Sequence, residues 1–350
     1  MGAPNNGVKE ERQFSFIVAV AFTVNYIVGT GFLTIPWAFS QAGCFLSILI
    51  LSGVVYFAIA SALFILEAMA RADTVLTMQL NLQLEEQRSS SISELAPLQT
   101  HDSTLQPVEN TVGEREIELT ELCLIFMGRY GKGAYTISLT IYLYCTLLAY
   151  STVFSNAFAT HMNIGPASYN IYLSIFAAIA IPLSCAELSE QIYLQVTLAL
   201  GRCFLFLTMI STIIIAVICN NNPFNGYSHV TPGDFTDFHL SNIHLSLPIL
   251  VFAIIFHHSL PALSHPVADK TQLASIFTTT IFGAFTAYLI LGVVVSLFFG
   301  KDTPTSANLL WSNYSGFQPL SQPGIFGRLV STFVVLFPAM GMEPLFNSYD

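Results

Sequence analysis

The chain has 350 residues, of which 53% are apolar and only 9% charged, with a formal net charge of −10. An ordinary soluble domain carries roughly 25% charged residues, so a water-soluble reading is excluded and lipid must surround most of this chain. The apolar residues come in long blocks, not in the periodic stripes of an amphipathic soluble fold.

No Asp, Glu, Lys or Arg falls within 14–43, 44–66, 133–160 or 271–300. Each stretch is long enough to cross the hydrocarbon core, which takes about 20 residues as a helix. Interrupted apolar stretches at 169–185, 191–219 (around Arg202), 245–266 and from Phe326 onward bring the expectation to about eight spans. Lipid cannot satisfy an open backbone, and these blocks are far longer than barrel strands, so the expected fold is an all-α polytopic membrane helix bundle. Residues 1–13 read as a cytoplasmic N-terminus, 14–70 as helices 1 and 2, and 122–350 as helices 3 to 8. The charged residues before the first span and the lack of a small-residue cleavage site identify that span as a retained helix.

The first span contains Asn25-Tyr26-Ile27-Val28-Gly29-Thr30-Gly31, followed by Pro36. Two glycines around a hydroxyl residue weaken a helix at mid-membrane and free backbone N–H groups for an anionic carboxylate. The alternative is that the glycines only let a neighbouring helix approach closely. Asn25 lies one turn before Gly29, so its amide can share the same face. Thr30 offers its hydroxyl to a ligand or as a cap on the second half-helix.

Residues 71–121 hold ten acidic and three basic side chains and read as a flexible acidic cytoplasmic insert. With the N-terminus inside, Lys9, Arg12, Arg71, Arg88, Arg115, Arg129, Lys132 and Lys270 fall on the inner side, and only Lys301 and Arg328 outside. The sequon Asn313-Tyr314-Ser315 then lies in an outer loop, which makes Asn313 a candidate glycosylation site. Arg202 is the one Arg or Lys well inside a span; helix-break carbonyls, Glu67 or the aqueous boundary are its expected partners.

The sixth span carries Phe256-His257-His258-Ser259-Leu260-Pro261, where proline removes a helical hydrogen bond and the imidazoles should face the interior. Interrupted helices at corresponding positions of two halves point to an inverted-repeat transporter, and helices 1 and 6 correspond if the repeat unit is five helices. The six cysteines have no metal or redox spacing and read as small packing residues, and the histidines form no metal set.

Asn25-x-Ile27-Val28-Gly29-Thr30-Gly31 with Pro36 resembles the first-helix motif of the amino acid/auxin permease family, within the amino acid, polyamine and organocation superfamily. Glu67-Ala68-Met69-Ala70, Ile141-Tyr142-Leu143-Tyr144, Tyr172-Leu173, His258-Ser259-Leu260-Pro261 and Pro266-Val267 extend the resemblance to one group within that family. The resemblance implies an amino acid transporter of inverted-repeat type, in which about eight of roughly eleven helices are present here, so a C-terminal truncation is expected. It implies substrate binding at Gly29, Thr30, Gly31, His258 and Ser259, no cofactor, and symport coupled to Na+ or H+. Asn25 matches the family's coupling-ion asparagine. The expected partners are a small amino acid and the bilayer, with no nucleic acid, in a plasma or endolysosomal membrane. Two other readings remain open at this point: a sensor that binds an amino acid and signals through residues 71–121, and a non-transporting truncated membrane protein. No nucleophile and base pair stands at chemical spacing, so an enzyme is not expected.

Overall fold

The structure is a computed structural model that describes residues 14–92, 115, 117–162, 164–183, 192–224, 238–316 and 324–340. Among them the chain is helical, with two isolated β-bridges and no strand. Helix α1 spans Phe16–Ile27 and α2 spans Ile35–Ala42, joined through a 3₁₀ turn at Gly31–Thr34. The two parts are bent by 51° at the break and are long and apolar enough, taken together, to cross a membrane. The glycines set that break because they carry the highest backbone entropy cost in a helix, and Pro36, in the first turn of α2, needs no N–H there.

Helix α3 runs from Cys44 to Ile92 and α4 from Leu119 to His161. Within α4, Gly128 takes φ 70°, a kink that separates an entry segment from the span proper. Helices α5 (Ser168–Leu183) and α6 (Ile192–Ile218) follow, then α7 (Ile243–Phe252), the short α8 (Leu260–Ser264), α9 (Leu273–Phe299) and α10 (Ile325–Met340). Among the described residues, five helices are long and apolar enough to cross a membrane, six if the bent α1–α2 pair is counted as one span. Two shorter apolar helices, Ser168–Pro182 and Ile325–Pro338, match the remaining two expected segments. The all-α polytopic bundle expected from hydropathy is the observed fold.

The acidic segment departs from expectation from Arg71 to Ile92. Instead of becoming a flexible linker at Arg71, α3 continues as one helix to Ile92. The sequence Thr74 to Gln87 is rich in Leu, Gln, Glu and Met, which are good helix formers, and an existing helix removes the cost of nucleation. Residues 93–114 and 116 lie outside the described residues. Arg71 pairs with Glu67 one turn earlier on this exposed surface.

Helix α1 packs on α6 and α9, while α2 packs on α7 and α9, so α9 backs both halves of the broken span. At the end of the bundle that holds the start of α1, Phe14 N–H donates to Pro266 O (2.6 Å) and Ala268 N–H to Phe14 O (3.3 Å), which ties the entry to α1 to the chain after α8. Lys270 Nζ caps α8 by donating to the Ser264 and His265 carbonyls (2.9 and 2.5 Å). Nearby, Asp269 accepts from Thr271 and Gln272, and these hydrogen bonds hold its carboxyl below the usual carboxylate range. Cysteines do not follow a single pattern: Cys44 is buried, 3.3 Å from the Ser296 hydroxyl, whereas Cys145, Cys203 and Cys219 are exposed on outer helix faces. The expected packing role therefore fits Cys44 and not those three, since a small apolar side chain is also tolerated facing lipid.

Candidate functional site

The two broken helices meet. A Cβ built on Gly31 would lie 3.2 Å from the Ala253 backbone and 3.3 Å from the Phe252 ring, so the turn after α1 rests directly on the end of α7. On the other side, a Cβ on Gly29 would collide with the Tyr150 hydroxyl of α4. Both glycines thus make room, one for a helix backbone and one for a phenol. The close-approach reading holds for both without removing the ligand reading.

The second break lies earlier than the sequence motif suggests. Helix α7 ends at Phe252, residues 253–256 leave helical geometry, and a 3₁₀ turn over His257–Ser259 leads into α8. Pro261 stands in the first turn of α8, where its missing N–H disrupts nothing. Pro261 starts the second half-helix; it does not break the first.

Between the breaks lies a cavity of about 30 Å³, bordered by Gly29, Gly31, Tyr142, Tyr150, Ile255 and His258 among others. That is room for water and too little for an amino acid. His258 Nδ1 is buried without a hydrogen-bond partner, and its ring meets Tyr142 edge-on at 5.2 Å. His257 points the other way, where its Nε2 hydrogen-bonds the Ala58 carbonyl of α3 at 2.9 Å. Of the expected substrate residues, Gly29, Gly31 and His258 border the cavity. Ser259 is buried with an unpartnered hydroxyl but is not on the cavity wall. Thr30 is buried and does not line the cavity, and its hydroxyl makes no capping hydrogen bond, contrary to the capping expectation; Leu33 N–H donates to the Thr30 backbone carbonyl at 3.1 Å.

Asn25 sits one turn below, fully buried, in a polar cluster with α6. Its Nδ2 donates to Gln195 O (2.6 Å) and Gln195 Oε1 (2.8 Å), and its Oδ1 accepts from the Arg202 guanidinium. Arg202 is 3% exposed, so it does not reach toward water, and Glu67 is held by Arg71 instead. Sequence reasoning found Asn25 and Arg202 separately but not their pairing. Both are costly polar groups in apolar surroundings, and that shared requirement for a buried partner was the available signal. Asn313 ends the 3₁₀ segment Ala307–Asn313 with its side chain exposed, while Ser315 of the sequon is buried and donates to Pro223 O at 2.9 Å. Among the described residues no group of three or more His, Cys, Asp or Glu is arranged to hold a metal ion.

Residues 12–341 match the family described as "Transmembrane amino acid transporter protein". The chain is 24% identical to a transmembrane protein 104 homologue of Dictyostelium discoideum, over 98% of this chain and 74% of that protein. It is 26% identical to transmembrane protein 104 of Homo sapiens over 75% of this chain, and 23% identical to the Drosophila melanogaster homologue over 78%. The chain spans 60% of the human protein's length and 62% of the fly protein's. No solved structure matches it.

Proposed function

Since the chain belongs to the transmembrane amino acid transporter family, we propose that it carries amino acids across its membrane by alternating access, holding the substrate where α1–α2 and α7–α8 are broken. The observation that carries this reading is the meeting of the two breaks on one cavity, with Gly31 against the Ala253 backbone. A helical segment that starts inside the bundle presents N–H groups with no intrahelical partner, and the turn beginning at Gly31 aims that positive end at a carboxylate. His258 Nδ1 accepts from the substrate's ammonium group, which gives the orphaned nitrogen a partner. Ser259 joins it only if its hydroxyl turns toward the cavity as the breaks part.

The cavity is too small for an amino acid, so this conformation is a closed one and substrate entry requires the breaks to separate. Coupling to Na+ or H+ belongs to the same proposal. In the closed state the Asn25 amide is occupied by Gln195 and Arg202, so any ion role for Asn25 requires that cluster to open.

The test is uptake of a panel of radiolabelled amino acids by the full chain in liposomes, with and without Na+ and pH gradients. Substrate-dependent flux that is lost in Gly31→Leu is the expected result, because a leucine there collides with Ala253 and fills the cavity. Absence of flux for every amino acid overturns transport, and unchanged flux in Gly31→Leu overturns the placement of the site.

A further inference from the structure

One buried phenol touches both breaks. Tyr288 stands midway along α9, fully buried, with its hydroxyl 3.1 Å from the Ile27 carbonyl and 3.2 Å from the Ala253 carbonyl. Ile27 is the last residue of α1 and Ala253 directly follows α7. In an unbroken helix each carbonyl would accept from the N–H four residues on, and both breaks remove that donor. The Ile27 carbonyl also accepts from Gly29 N–H at 3.0 Å. A phenol has one hydrogen, so the two carbonyls share it.

The ring packs on α6, which also reaches the turn after the first break. Phe206 of α6 lies 6.3 Å from Tyr288 centroid to centroid and also packs on Phe32, in the turn after the first break, at 4.9 Å. One helical turn along α9, Gly292 admits the Phe39 ring of α2, which a Cβ would meet at 2.9 Å. Tyr288 is not part of the cavity wall.

We propose that Tyr288 is a clasp, a positioning residue whose hydroxyl holds the two breaks together in the closed state and must release one carbonyl when they part. This rests on the alternating-access reading of the site. Removing the hydroxyl leaves the Ala253 carbonyl without its donor, and the Ile27 carbonyl with Gly29 N–H alone, only while the breaks are closed, since parting them admits water. The variant Tyr288→Phe therefore shifts the population toward open states without changing the ring's packing.

The experiment places a reporter cysteine, Ile255→Cys, on the cavity wall of the full chain in liposomes and measures its labelling by a membrane-impermeant maleimide. Native cysteines are subtracted with the chain that lacks the reporter. Tyr288→Phe is expected to raise the labelling rate roughly tenfold, the scale of one lost buried hydrogen bond, and para-aminophenylalanine at the same position, which keeps a donor, restores the slow rate. Labelling within about twofold of the parent in a folded Tyr288→Phe chain overturns the clasp. If that variant does not fold, a ring-fluorinated tyrosine, a stronger donor of nearly the same size, is expected to slow labelling, and an unchanged rate overturns the clasp. Flux is measured in the same liposomes: labelling that responds without any flux sinks transport and leaves the clasp standing, and flux without a labelling response does the reverse.

Discussion

Gly29 and Tyr150 form the tightest contact at the break in α1, and it supplies a two-residue test. Gly29→Ala drives a methyl into a hydroxyl on a buried ring with little room to retreat, so folded yield and flux should both fall. Tyr150→Phe in the same chain removes the clashing atom and leaves the next nearest at 3.4 Å, so yield should recover. A Gly29→Ala chain that melts like the parent would show that Tyr150 moves freely. The Asn25–Arg202 contact is the second residue-scale case. Asn25→Ala takes an acceptor from a buried guanidinium and is expected to cost about 2 kcal/mol, the range for a hydrogen bond to a charged group. Combined with Arg202→Met, the loss in a detergent melt should be smaller than the sum of the single losses, because both changes act on one interaction. Additive losses would mean that the two residues are stabilised independently. Each residue was legible as an anomaly in an apolar span. The pairing was not, because the partners lie 177 residues apart and only the packing of α1 on α6 brings them together.

Among the elements, the break in α1 was readable because two glycines within three residues act through local backbone cost, which needs no tertiary context. The break before α8 was misplaced by several residues because proline is equally at home at a helix start, and only the path of the chain decides which role it has. The length of α3 was hidden for another reason: hydropathy reports where lipid ends, not where the helix ends. Helix α9 provides an internal comparison at this scale. Gly292 faces the fully buried Phe39 ring, so Gly292→Ala should destabilise the α9–α2 contact by about 1–3 kcal/mol. Gly283 on the same helix is exposed, and a methyl group added there would have no atom within 4 Å, so Gly283→Ala should be neutral or stabilise by up to about 1 kcal/mol through helix propensity. Melting temperatures of the two variants in one detergent check both signs. If both glycines respond alike, packing on α2 is not what requires Gly292.

At the scale of the whole molecule, the spans and the bundle followed from composition because the bilayer imposes the same length and backbone rule on every segment. Charge predicts which end faces the cytoplasm. Arg71, Arg129, Lys132 and Lys270 are assigned to one side by the positive-inside bias, and Lys301 and Asn313 to the other. The loop bearing Asn313 is not a loose connector. Trp311 is buried and donates from Nε1 to Thr212 Oγ1 at 3.1 Å, Phe224 packs against both Trp311 and Tyr314, and Ser315 is anchored to the Pro223 carbonyl. In the folded chain the Asn313 side chain is accessible while the hydroxyl two residues on is not. Glycosylation at Asn313, if it occurs, would have to precede the burial of Ser315, whose hydroxyl the sequon requires. The expected outcome in intact cells is a glycosidase-sensitive band that Asn313→Gln abolishes, together with an N-terminal tag that protease reaches only after permeabilisation. Cleavage of the tag in intact cells would reverse the orientation, and with it the side on which Asn313 and Lys301 are expected.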